Sequence, residues 1–153
     1  MRYKIPMILF ITLSMIFCAS SEKRLAKKRD TDPQYQYNVG LVYLQNGKYD
    51  EAIRYFQKSL SLRTNFDLAL NAMGLAFFMK GEFQQAVTYF EKCLQVNPGF
   101  TEARNYLGSV YQELGMLNNA EQEYRKAIED ETYKSRELPY YNLARLYYAQ
   151  GKD

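Results

Sequence analysis

From residue 33 onward, apolar residues recur at the 3- and 4-residue spacing of amphipathic α-helices. Ala86, Phe90 and Cys93 are one example, and Ala52 and Phe56 another. The spacing predicts pairs of helices of about 13 residues each, joined by short polar turns. Two stretches near the start break the pattern. Residues 5–17 (IPMILFITLSMIF) carry no charge, and residues 18–30 (CASSEKRLAKKRD) are dense in it.

The helical pattern repeats itself every 34 residues. Gly40, Gly74 and Gly108 are that far apart, and so are Gly47, Gly81 and Gly115, and Ala52, Ala86 and Ala120. Phe56, Phe90 and Tyr124 keep the same step, as do Tyr43, Phe77 and Tyr111. Five columns in one register define repeats at 33–66, 67–100 and 101–134. A fourth begins near Glu137, where Ala144 and Gly151 fall 36 residues after Gly108 and Gly115, so two residues are inserted around Ser135-Arg136. A fixed period of this length is the mark of a stacked repeat architecture.

Each column has a physical reading. Gly47, Gly81, Gly115 and Gly151 fall where a first helix must stop, a place for the left-handed backbone that glycine accepts cheaply. Gly40, Gly74, Gly108 and Ala144 are expected to meet Ala52, Ala86 and Ala120 at a close antiparallel crossing, with Phe56, Phe90 and Tyr124 wedged between successive pairs. Asp32-Pro33 is a cap followed by a first-turn proline, and Pro98 closes the second repeat.

These residues resemble the tetratricopeptide repeat (TPR) family, whose pattern appears here as Met73-Gly74, Phe77, Ala86, Phe90, Cys93 and Pro98. The usual leading tryptophan is replaced by Gln36, Leu70, Arg104 and Tyr140. The resemblance implies an all-α solenoid of antiparallel helix pairs in a right-handed superhelix. It would hold three full repeats and, over 137–153, the first helix of a fourth. In that family the first helices line a concave groove. The positions implied here are Tyr37, Leu41 and Leu44 in repeat 1, and Leu68, Asn71, Leu75, Phe78 and Met79 in repeat 2. Glu102, Asn105, Ser109 and Gln112 follow in repeat 3, and Leu138, Tyr141, Arg145 and Tyr148 in repeat 4. Such a surface suits an extended peptide or an amphipathic helix, with Asn71 and Asn105 pairing with its backbone. Alternatively Leu75 and Phe78 pack within the superhelix. The family's clamp for a C-terminal carboxylate needs Lys, Asn and further basic residues at places that hold Tyr37, Leu41, Ala72, Glu102 and Tyr106. A chaperone-tail receptor is therefore not expected.

Composition argues against catalysis. The 153 residues include no His and only two Cys, which removes His-based acid/base chemistry, Ser/His or Cys/His nucleophiles and Cys/His metal clusters. No enzyme activity, cofactor, metal or small-molecule substrate is expected. Cys93 lies in a small-residue column, as a buried inert thiol would. Glu129-Asp130-Glu131 lacks the spacing of a Ca²⁺ loop and reads as a solvated helix end. The net charge of +3 divides into +2 over 1–17, +3 over 18–30 and −2 over 31–153. The repeats are mildly acidic, so no nucleic-acid partner is expected.

Met1-Arg2-Tyr3-Lys4 and the uncharged run to Phe17 read as a signal peptide over 1–17, too short for a spanning helix. Cys18-Ala19-Ser20-Ser21 resembles a bacterial lipoprotein signal, which implies lipidation at Cys18 and an anchor in the outer membrane. Cleavage after Ser20, giving a secreted periplasmic protein, and a retained anchor are the alternatives. Residues 18–32 read as a flexible charged tether. Taken with Asn119–Ala127 and the insertion Tyr133–Arg136, the arrangement resembles the type IV pilus biogenesis and stability lipoproteins, the secretin pilotins. That implies an outer-membrane secretin as partner; a general envelope adaptor, for example for peptidoglycan enzymes, is the other reading. The chain stops at a turn where a further helix would pack on Leu143, Leu146, Tyr147 and Tyr148, and a shortened chain is expected.

Overall fold

The computed structural model describes residues 22–151, and among these residues there are eight helices and no strand. A first helical segment, α1, covers 22–30. Then follow α2 (Pro33–Gln45), α3 (Tyr49–Leu62), α4 (Asp67–Lys80), α5 (Phe83–Val96), α6 (Thr101–Glu113), α7 (Leu117–Glu129) and α8 (Glu137–Ala149). Helices α2 and α3, α4 and α5, and α6 and α7 pack as pairs, and each pair packs on the next. The first helices α2, α4, α6 and α8 also touch one another in succession, whereas α3, α5 and α7 do not. Curvature therefore places the first helices on the inner face and the second helices outside. This is the solenoid of three helix pairs plus one helix that the 34-residue period predicts.

The boundaries follow local chemistry. The Asp32 carboxylate accepts from the Gln34 amide at 2.9 Å, and Pro33 occupies the first turn of α2. Gly81 ends α4 at φ +83°, with the amide of Glu82 reaching back to the Phe77 carbonyl at 2.9 Å. Lys48 and Met116 make the same bond to Tyr43 and Tyr111, so the turn itself is repeated.

The core is built from small residues and rings. Ala52, Phe56, Ala86, Phe90, Ala120 and Tyr124 are all completely buried. Each ring faces the glycine of its own repeat: a Cβ on Gly74 would lie 2.7 Å from Phe90, with the same clash at Gly40 against Phe56 and Gly108 against Tyr124. The nearest neighbour of each of these glycines is thus the ring of its own repeat, nearer than the alanine expected there. The ring fills the space that the missing Cβ opens. Phe90 still reaches forward, stacking on Tyr106 of the next repeat at 5.8 Å.

Polar ties repeat as well. Ser59 Oγ donates to the carbonyl of Pro33 at 2.8 Å, and Cys93 Sγ, one period later, to that of Asp67 at 3.4 Å. Burial first, then the Asp67 charge, pushes the Cys93 thiol up to about 12, so it stays protonated and unreactive. Glu129 ends α7, and Asp130 accepts from Thr101 and from the amide and hydroxyl of Thr132.

One expectation is corrected near the start. Residues 22–30 form a helix rather than a flexible tether. Glu, Lys, Arg, Leu and Ala are good helix formers. Its end is tied down where Gln36 Nε2 donates to the Arg29 carbonyl at 3.0 Å and Lys58 pairs with Asp30. The expected signal segment over 1–17 and Cys18 lie outside the described residues, among which no helix is long and apolar enough to cross a membrane.

Candidate peptide-binding groove

The inner face is formed by α2, α4, α6 and α8, and its character changes along the axis. In repeats 1 and 2 it is apolar. Tyr37, Leu41, Leu44, Leu75 and Phe78 are half-buried, each with one side packed on the core. The Tyr37 ring lies 5.4 Å from that of Phe66, and Phe78 lies 6.0 Å from Phe83. Leu68 and Met79 are exposed by 39% and 54%. The core thus leaves apolar surface showing, while Leu75 and Phe78 serve both the superhelix and its inner face.

In repeat 3 the face is polar and largely self-satisfied. Asn105 is buried, and its Oδ1 accepts from Asn142 Nδ2 of α8 at 3.0 Å. Gln112 accepts from the Tyr124 hydroxyl at 3.3 Å, and Ser109 from the same hydroxyl at 3.2 Å. Asn105 and Gln112 are therefore engaged in holding α6, α7 and α8 together. On α8, Leu138, Tyr141, Arg145 and Tyr148 are exposed, Tyr148 by 82%.

Asn71 and Glu102 are a different case. Asn71 is buried, its Nδ2 reaches Glu102 Oε1 on α6 at 3.4 Å, and its Oδ1 has no donor. The Glu102 carboxylate is exposed and has no lysine or arginine within ion-pair distance among the described residues. Its charge is felt by three phenols. Tyr37, Tyr106 and Tyr133 are all raised above the usual range, by burial first and then by Glu102. Beside Glu102, the connections before α6 and after α7 enclose a cleft of about 460 Å³ that includes Asp130, Tyr133 and Lys134. The repeat period points to Glu102 as a groove position but does not show Tyr133, which stands where the preceding repeat has Gly99, or Asn142, whose partner is on another helix.

Two family models described as tetratricopeptide repeat match residues 32–98 and 77–132, so together they cover two thirds of the chain. No curated protein matches the sequence significantly. Among solved structures, the crystal structure of MamA is 26% identical, with a TM-score of 0.73 over 84% of this chain and 74% of that one. The first TPR of Spaghetti (RPAP3), bound to the HSP90 peptide SRMEEVD, is 21% identical, with a TM-score of 0.73 over 80% of this chain and 96% of that one. The Sgt2 TPR domain from Aspergillus fumigatus is 19% identical, with a TM-score of 0.73 over 78% and 79%. The last two likenesses concern the fold alone. With the period, the helix pairs and both family matches in agreement, the chain belongs to the tetratricopeptide repeat family.

Proposed function

We propose that the chain is a non-enzymatic adaptor that holds a peptide or amphipathic helix of a partner protein along the inner face of α2, α4 and α6. One observation carries this reading. After the core is complete, Tyr37, Leu41, Leu44, Leu68, Leu75, Phe78 and Met79 still show apolar surface on one side of the solenoid. Contiguous apolar surface of that kind marks contact sites. Each leucine-sized anchor buried there contributes about 1.5–3 kcal/mol before ordering costs are subtracted. A peptide solved on the same fold in RPAP3 is in keeping with the reading. The test is selection of random displayed peptides on the full chain. Selected peptides should lose binding to the Leu68→Glu, Met79→Glu variant, whose two sites are already exposed; unchanged binding would place the contact elsewhere.

In the cell, we read this adaptor as an envelope lipoprotein anchored through Cys18 in the outer membrane, assisting assembly of a type IV pilus secretin. The sequence Cys18-Ala19-Ser20-Ser21 after an uncharged run supports the anchor. A general periplasmic or outer-membrane adaptor has the same groove and differs in its partner. Heat- and detergent-resistant secretin multimers should be lost in a deletion strain and poorly restored by Cys18→Ala. Undiminished multimers in the deletion would leave the general adaptor.

A further inference from the structure

We infer that the groove selects ligands by charge, taking a peptide that presents a lysine or arginine side chain to Glu102. This inference rests on the peptide-binding reading above and names the class of peptide.

Three observations converge on Glu102. Its carboxylate is exposed at the start of α6, yet among the described residues its one neighbour that donates a hydrogen bond is the Asn71 amide, at a long 3.4 Å. Asn71 is itself only 7% exposed, and its Oδ1 lacks a donor. The nearby basic residues are otherwise engaged or offset. Arg104 is held by Glu123 at 3.2 Å and by the Pro98 carbonyl at 2.8 Å. Lys134 lines the adjacent cleft, but so does Asp130, whose hydrogen bonds from Thr101 and Thr132 hold it below the usual carboxylate range and keep it charged. Among the described residues, no lysine or arginine is paired with Glu102, and the site keeps its negative charge and its acceptors.

The surroundings suit a cation with an aliphatic stem. Tyr37, Tyr106 and Tyr133 lie within reach of the Glu102 charge, offering aromatic surface on which a guanidinium or ammonium group is stabilised. The wider field has the same sign. Residues 67–134 hold 6 Lys/Arg against 10 Asp/Glu, which favours encounter with a basic segment. An acidic peptide such as SRMEEVD would meet Glu102 and Asp130 with like charge.

The test probes the full chain with an array of mixed-sequence peptides in which one position is fixed as Lys, Arg, Gln or Glu. Lys- and Arg-fixed peptides should bind about three- to fivefold more strongly than Gln-fixed ones, the gain of a partly exposed charge pair. The preference should shrink in high salt. Glu102→Gln should abolish the difference between Lys- or Arg-fixed and Gln-fixed peptides, and Glu129→Gln, an equal change in net charge, should not. A preference that survives Glu102→Gln, or stronger binding of Glu-fixed peptides, would overturn the inference and leave the groove intact. Absence of binding to every peptide would instead overturn the groove reading, and this inference with it.

Discussion

Gly74 and Phe90 occupy one another's space: a methyl group on Gly74 would lie 2.7 Å from the ring, well inside contact distance. Phe90 is completely buried and is held from the other side by Tyr106, so it has nowhere to retreat. Gly74→Ala should destabilise the chain by about 1–3 kcal/mol, against the usual helix-favouring effect of alanine. Urea unfolding measures this. Phe90→Leu in the same chain should cost less than it does alone, because the smaller side chain makes room for the methyl group.

At Gly81 the same substitution acts through the backbone. Nothing lies within 4 Å of an added Cβ, but φ is +83°. Gly81→Ala should cost about 1–2 kcal/mol by strain alone. Here Phe90→Leu should give no relief, and a double-mutant cycle separates the two mechanisms.

Asn142 donates to Asn105 Oδ1 at 3.0 Å, linking α8 to α6. Asn142→Ala leaves that buried oxygen without a partner, a loss of about 1–3 kcal/mol. Hydrogen exchange should then quicken in α8 before α2–α5 are affected. Uniform protection in the variant would show that the bond contributes nothing to docking α8.

Buried thiol and phenol groups make the fold sensitive to alkali. Cys93 is pushed up from 9.0 to about 12, chiefly by burial, and Tyr111 from 10.0 to about 12 by burial and its bond to Glu91. Folding favours the protonated forms, so their contribution is complete below pH 9. It is lost as the pH rises from 9 towards 12, where the unfolded chain gives up these protons first. The melting temperature should fall through that window. In a Cys18→Ala background, Cys93 should resist an aromatic disulfide reagent near neutral pH until urea is added; rapid reaction of the native protein would contradict its placement.

Most of the fold was legible because it is periodic. The columns of glycine, alanine and ring residues, and the cap at Asp32, mark helix ends and pair contacts without reference to anything distant. Less legible was what each groove residue does. Gln112 looks like a free polar position, but the hydroxyl of Tyr124 stands where the two preceding repeats have a phenylalanine, and it engages Gln112. Asn105 is likewise engaged by Asn142, which the two-residue insertion removes from the common register. Residues 22–30 have the charge of a solvated tether and the propensity of a helix, and in the structure the helix prevails.

The central claim is that the inner face of the first helices holds the ligand. Backbone and side-chain amide spectra of the labelled full chain, recorded while a selected peptide is added, test it most directly. The account predicts shifts confined to α2, α4 and α6, with the Asn71 side-chain amide among the largest. Shifts on the outer helices α3, α5 and α7, with α2 and α4 unmoved, would contradict it.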